Sequence, residues 1–194
     1  MAEEKKLDRR VVKTKKAIRT AFVKLISEKD INKITIKDIA DEADINRKTF
    51  YNYYSGVYGL TEEIEKELEE EFEDLLSGID LKKTLRDPTV LFSRLTEKLN
   101  NNLEFYGYLM KASSGVNLIV NQDSKLDECM RNAFASQTDI DEATFTIMKD
   151  FVRSGMLAVY HHWFNSDRST DIEKVSQTLG KLCCEGIAGI VGEV

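Results

Sequence analysis

The chain has 194 residues with 28 Lys+Arg against 34 Asp+Glu, 42% hydrophobic and 9% aromatic residues, a composition ordinary for a soluble globular protein. One Pro and ten Gly are too few punctuators for a sheet-rich chain, and abundant Leu, Lys, Glu, Ala and Ile predict an all-α fold. No stretch approaches the roughly 18 consecutive apolar residues of a membrane span, and no apolar segment follows the charged run Glu3 to Arg10, so a cytoplasmic protein with no membrane partner is expected.

Charge divides the chain. Residues 1–56 hold 14 Lys+Arg and 9 Asp+Glu, net +5, while the remainder holds 14 and 25, net −11. A basic end on an acidic body suits local phosphate binding without non-specific collapse onto nucleic acid.

From about Leu7 to Glu28, Ile18, Ala21, Phe22, Leu25 and Ile26 recur at helical spacing. The pattern breaks between Lys29 and Lys33, after which Thr35 and Asp38 form a capping-box pair that opens a helix over Ile36 to Ala43. Asp44 and Ile45 make a tight turn, Asn46 caps, and a third helix covers Arg47 to Tyr53. Two helices this short cannot bury much apolar area alone and must pack together, which is a helix-turn-helix arrangement. The third helix presents Arg47, Lys48, Thr49, Tyr51 and Asn52 and keeps Phe50 and Tyr53 for the interior. Lys and Arg supply charge and donate to guanine edges, Asn pairs with adenine, and hydroxyls suit phosphate oxygens.

A long helix follows, with Leu60, Ile64, Leu68, Phe72 and Leu75 at mostly four-residue steps. Nine acidic residues between Glu62 and Asp74 face only Lys66, and read as its solvated face. Further helices are expected over Pro88 to Asn100, Leu103 to Ser113, Val116 to Ala135, Asp141 to Asn165 and Asp171 to Val191. The last two form an antiparallel hairpin closed by Asn165 to Ser169.

The runs Thr35-Ile36-Lys37-Asp38-Ile39-Ala40 and Ala43-Asp44-Ile45-Asn46-Arg47-Lys48-Thr49-Phe50-Tyr51-Asn52-Tyr53-Tyr54 resemble the N-terminal domain of TetR-family transcriptional regulators, over roughly Val12 to Leu68. The resemblance implies a DNA-binding domain at 1–56 and a helical regulatory, ligand-binding and dimerisation domain at 57–194. It places Lys37, Arg47 and Lys48 near base edges, and Thr35, Asn46, Thr49, Tyr51 and Asn52 near the phosphate backbone. Asp44 stands where the family commonly has a turn glycine, and Val57 where a lysine often begins the fourth helix. Asp tolerates the left-handed conformation better than most residues.

The same resemblance implies a homodimer on a palindromic double-stranded DNA operator, most often a repressor released by a small-molecule inducer. A co-activator or partner-binding protein of the same fold with weak DNA affinity is the alternative. Phe92, Leu95, Leu99, Phe105, Tyr106, Met110, Met130, Phe134, Phe145 and Met148 supply material for an inducer pocket, although such residues at helical spacing serve equally as core. Val152, Met156, Tyr160, Trp163, Leu179, Leu182, Gly186 and Gly189 are expected at the dimer interface.

No enzyme, cofactor or metal site is expected. His161 and His162 splay apart by about 100° on a helix and make poor metal ligands. Cys183 and Cys184 diverge likewise, and with Cys129 read as reduced packing residues.

Overall fold

The computed structural model describes residues 9–111, 118, 127–128, 130–132 and 140–191. It is all-helical, with no strand among these residues: α1 (Arg9–Glu28), a single 3₁₀ turn (Ile31–Lys33), α2 (Ile36–Glu42), α3 (Arg47–Tyr51), α4 (Val57–Leu76), α5 (Leu81–Arg86), α6 (Thr89–Asn101), α7 (Leu103–Lys111), α8 (Glu142–Asn165) and α9 (Ile172–Val191). The helices expected from periodicity are present where they fall on described residues. The expected Val116 to Ala135 helix, Phe134 and Cys129 lie outside the described residues, as do the surroundings of Gly189.

Two features were not legible in the apolar pattern. The 3₁₀ turn fills the break after α1, with the Asp30 side chain accepting from the Asn32 N–H at 2.8 Å. The short helix α5 is opened by Asp80, which accepts from Lys83 N–H at 3.2 Å, and its start follows a left-handed turn at Gly78 (φ 68°).

The reading head, α1 to α3 with the start of α4, closes on Ile18, Phe22, Ile26, Ile39, Phe50, Leu60 and Ile64, all nearly inaccessible. Sealing side chains of this size from water supplies about 1.5–3 kcal/mol each. That offsets the poor intrinsic stability of five- and seven-residue helices. The core continues through Leu68, Phe92, Leu99, Tyr106 and Leu109 to Trp163 and Phe164, while α5, α8 and α9 enclose a second cluster around Met130, Phe145, Met148, Cys183 and Ile187.

The hairpin of α8 and α9 is present. Its corner is held by the Trp163 indole N–H donating to the Thr170 carbonyl at 2.7 Å, and by Arg168, left-handed at φ 55°, whose guanidinium lies 5.3 Å over both Trp163 and Phe164. Helix α9 crosses α6 at Gly180. A Cβ there would meet Phe92 at 3.0 Å and Pro88 at 3.1 Å, so the crossing depends on the missing side chain.

Candidate nucleic-acid interface

Helix α2 opens on the expected capping box: the Asp38 N–H donates to Thr35 Oγ1 (3.2 Å), and Asp38 Oδ2 accepts from the Thr35 N–H (2.8 Å) and hydroxyl (2.7 Å). Lys29 adds an ion pair at 2.9 Å, and these donors hold the Asp38 carboxyl well below its ordinary pKa, Lys29 contributing most. Thr35, expected near phosphate, has thus committed its hydroxyl proton to the cap. The turn into α3 passes through Asp44 at φ 53°, the left-handed position at which a glycine is common, and the Ile45 N–H returns to the Ala40 carbonyl at 2.9 Å.

Asn46 caps α3 by accepting from the Lys48 N–H at 2.8 Å, which leaves its amide N–H groups outward. Phe50 anchors the helix from beneath, fully buried, with Tyr54 tilted against it at 5.5 Å and Tyr51 edge-on at 6.0 Å. With the anchor pointing in, Arg47, Lys48, Tyr51 and Asn52 are exposed, and Lys37 of α2 is exposed beside them. Thr49 is half-buried.

Several cations of the reading head are paired within the chain. Lys15 pairs with Glu63 (2.5 Å), Arg19 with Glu67, Lys24 with Glu42 (2.5 Å) and Lys29 with Asp38. Lys37, Arg47 and Lys48 have no carboxylate partner among the described residues. These cations of α2 and α3, beside an amide and two hydroxyls, form a surface for a polyanion with readable edges.

Sequence reasoning missed the far side of α4. Glu62, Glu70, Glu73 and Asp74 are exposed, as a solvated face requires, but Glu63, Glu67 and Glu71 are turned inward. Glu63 binds Lys15 and the Tyr54 hydroxyl (2.6 Å), Glu67 binds Arg19, and Glu71 accepts from the Tyr106 hydroxyl. The signal was present in the spacing: three glutamates four apart match Lys15 and Arg19, also four apart. Burial raises the Tyr54 and Tyr106 hydroxyls above their usual range, and the facing carboxylates add to it. Burial also tends to raise Glu63, but the hydrogen bonds from Lys15 and Tyr54 prevail and lower it.

In the rest of the chain, most residues expected to line a pocket are core. Phe92, Leu99, Tyr106 and Met110 are buried in the main cluster, with Leu95 and Phe105 packed against it, and Met130, Phe145 and Met148 are buried in the second. A groove of about 660 Å³ lies instead between α5, α6 and α9, and Phe92 alone of the expected set lines it, beside Arg86, Thr96, Asn100, Glu173 and Lys181.

The expected interface residues divide as well. Val152, Tyr160, Trp163 and Leu179 are buried inside this chain and Met156 is half-buried, because the hairpin needs them to pack on α6 and α7. Leu182 and Gly186 face outward. They share the hairpin with exposed Ile147 (68%) and Phe151 (63%) on α8. Cys183 and Cys184 are free and buried, and burial pushes the Cys184 thiol up to about 11, which suits packing rather than thiolate chemistry. His161 and His162 are both exposed. No helix among the described residues is long and apolar enough to cross a membrane.

Residues 18–64 match the family model of bacterial regulatory proteins, tetR family, a span that contains α2, α3 and the start of α4. An HTH-type transcriptional regulator of Bacillus subtilis, YxbF, is 46% identical over 54 residues, which are 27% of this chain and 14% of that protein's length. Similar solved structures include the fatty acid degradation regulator FadR from Bacillus halodurans (TM-score 0.62, 14% identity, covering 90% of this chain and 96% of that one). A tetR-family regulator from Streptomyces coelicolor aligns with TM-score 0.56 at 14% identity, over 92% of this chain and 86% of that one. The dihydroxyacetone kinase operon activator DhaS aligns with TM-score 0.54 at 21% identity, over 90% and 96%.

Proposed function

We propose that this chain is a DNA-binding transcriptional regulator of the TetR family that acts in the cytoplasm as a homodimeric repressor on a palindromic operator, released by a small-molecule inducer. The observation that carries the reading is the outer face of the helix-turn-helix: Lys37, Arg47 and Lys48 are exposed with no carboxylate partner among the described residues, beside the exposed Tyr51 and Asn52, while Lys15, Arg19 and Lys24 of α1 are paired within the protein. Two such helices in a dimer would enter successive major grooves about 34–36 Å apart. The exposed apolar face of Ile147, Phe151 and Leu182 supports the dimer, and the groove beneath α9 supports a small ligand. A ligand that favours a spacing unsuited to DNA would release the operator by differential affinity.

A second reading is activation or co-activation with weaker DNA contact. Val57 favours it, because this residue at the start of α4 packs against the core where a cation would reach a phosphate, and one structural neighbour is described as an operon activator.

Fluorescence anisotropy on the DNA upstream of the chain's own gene, against a scrambled duplex at two salt concentrations, tests the proposal. Repressor-grade binding is selective, and its log affinity falls with log salt at about 0.9 per phosphate neutralised. Lys48→Ala should weaken binding to the selected duplex and narrow its preference over the scrambled one. Equal, weak affinity for both duplexes, together with an empty genome-wide selection, would transfer the argument to the partner-binding reading.

A further inference from the structure

The exit of α3 is tied down at one point. Tyr54 is almost fully buried with its ring against Phe50, the anchor of α3, and its hydroxyl donates to Glu63 Oε1 at 2.6 Å. The other Glu63 oxygen takes Lys15 Nζ at 2.5 Å, and that ammonium also lies 5.6 Å from the centre of the Tyr54 ring. One carboxylate therefore joins the residue that ends the recognition segment, the helix that carries the head and the helix that leaves it. Helix α3 itself has five residues and one fully buried side chain, Phe50, so the tether at its exit is a second point of attachment beside that anchor.

We propose that Glu63 is a positioning residue for α3: through the Tyr54 hydroxyl it fixes where the exposed face of Arg47, Lys48, Tyr51 and Asn52 stands relative to α1 and α4, and so sets sequence selectivity from inside the protein. The inference rests on the reading that this face meets DNA. Glu63 has both oxygens engaged by neighbours within the chain and is not itself a base- or phosphate-contacting group. Its effect falls on base contacts, which need side chains placed to within a fraction of a bond length. Attraction between free cations and phosphates tolerates a small displacement.

The test begins with duplexes enriched by the wild-type chain from a random library. The affinity ratio for enriched against scrambled duplex is then measured for the wild type, Tyr54→Phe, Glu63→Ala and Glu63→Gln, at one salt concentration and well below each protein's unfolding midpoint. Tyr54→Phe keeps the ring on Phe50 and removes only the hydroxyl, so folding is preserved.

Tyr54→Phe and Glu63→Ala should each lower the ratio about tenfold, roughly the discrimination of one base pair, with affinity for the scrambled duplex unchanged. Glu63→Gln should fall between the wild type and Glu63→Ala, because its amide oxygen still accepts the Tyr54 hydroxyl while its amide nitrogen, a donor, cannot take the Lys15 ammonium. An unchanged ratio in both damaging variants overturns the role of Glu63 and leaves the DNA-binding reading standing, and so does an equal loss on both duplexes. A wild-type chain that enriches no sequence removes that reading, and this inference falls with it.

Discussion

The guanidinium of Arg19, in the helix that opens the reading head, lies 5.3 Å from the ring centroid of Phe105 in α7. The same side chain pairs with Glu67 of α4, so one arginine joins α1, α4 and α7. One turn further along α4, Glu71 accepts from the Tyr106 hydroxyl, and Lys98 of α6 donates to the Glu71 carbonyl at 2.8 Å. The head is therefore joined to the body along a polar seam as well as through the backbone of α4. A displacement of α7 reaches α1 directly.

Arg19→Met should lower stability by about 1 kcal/mol at neutral pH, a modest value because both partners retain solvent contact. Its pH dependence is the sharper test. Burial raises the Glu67 pKa above the ordinary carboxylate value, while Arg19 pulls it down. A group raised in the folded state contributes stability below its unfolded pKa of about 4.3 and loses that contribution as pH rises through the folded value. Without Arg19 the folded value climbs further, so the deficit of the variant should widen as pH rises above about 4.3 in urea denaturation. A deficit that does not change with pH would show that the pair carries no electrostatic coupling.

The capping box at Thr35 predicts a loss at acid pH. Asp38 is held below its ordinary range by Lys29 first and by the Thr35 hydroxyl and N–H next. A depressed carboxylate contributes stability above its unfolded pKa of about 3.9 and loses it as pH falls toward the folded value. Asp38→Asn should therefore flatten the stability profile below about pH 4, and Thr35→Ala should cost about 1 kcal/mol at neutral pH. Thermal unfolding across pH 2 to 7 checks both, and an unaltered acid limb in Asp38→Asn would mean that Asp38 is not a contributor.

Much of the reading head was legible because its signals are local. Thr35, Asp38, Asp44 and Asn46 act on neighbours two to five residues away, and each is found in its expected backbone role. The inward turn of Glu63, Glu67 and Glu71 was legible only as a matching four-residue spacing with Lys15 and Arg19; which face turns inward depends on α1 and α7, which lie far off in sequence. The burial of the expected interface residues was not legible for the same reason. Tyr160 and Trp163 share a helix with Ile147 and Phe151, and the placement of α7 and α9 decides which of them are covered. The aromatic residues expected around a pocket illustrate a limit of composition, since core and cavity use the same side chains.

A closed chain of hydroxyls crosses the body. Tyr160 lies 2.9 Å from Ser176, Ser176 lies 2.6 Å from Thr96, and Thr96 lies 2.8 Å from the Phe92 carbonyl. Three protons and three acceptors close if each group donates to the next, Tyr160 to Ser176 to Thr96 to the carbonyl. Burial pushes Tyr160 up to about 12, so its proton stays in place at neutral pH. Ser176→Ala removes the middle acceptor and leaves the phenol hydroxyl unpaired in the core, costing about 1–3 kcal/mol. Adding Tyr160→Phe removes the stranded group while Thr96 keeps its carbonyl, so the double variant should be no less stable than Ser176→Ala alone. Additive losses in chemical denaturation would disprove the relay.

The α8–α9 hairpin separates residues that hold the chain together from residues available to a second copy. Phe151 and Leu182 are 63% and 60% exposed, whereas Trp163 is buried with its indole bonded to Thr170. Phe151→Glu and Leu182→Glu should therefore convert a dimer to a monomer in sedimentation analysis without altering helical content. Trp163→Glu should destabilise the fold itself by leaving a charge in the core. Loss of the second head should also weaken operator binding by about 100-fold, because the two half-sites no longer act as one bivalent ligand. Dimers that survive both glutamate substitutions would place the interface on another face. A monomer that retains full operator affinity would show that one head is enough.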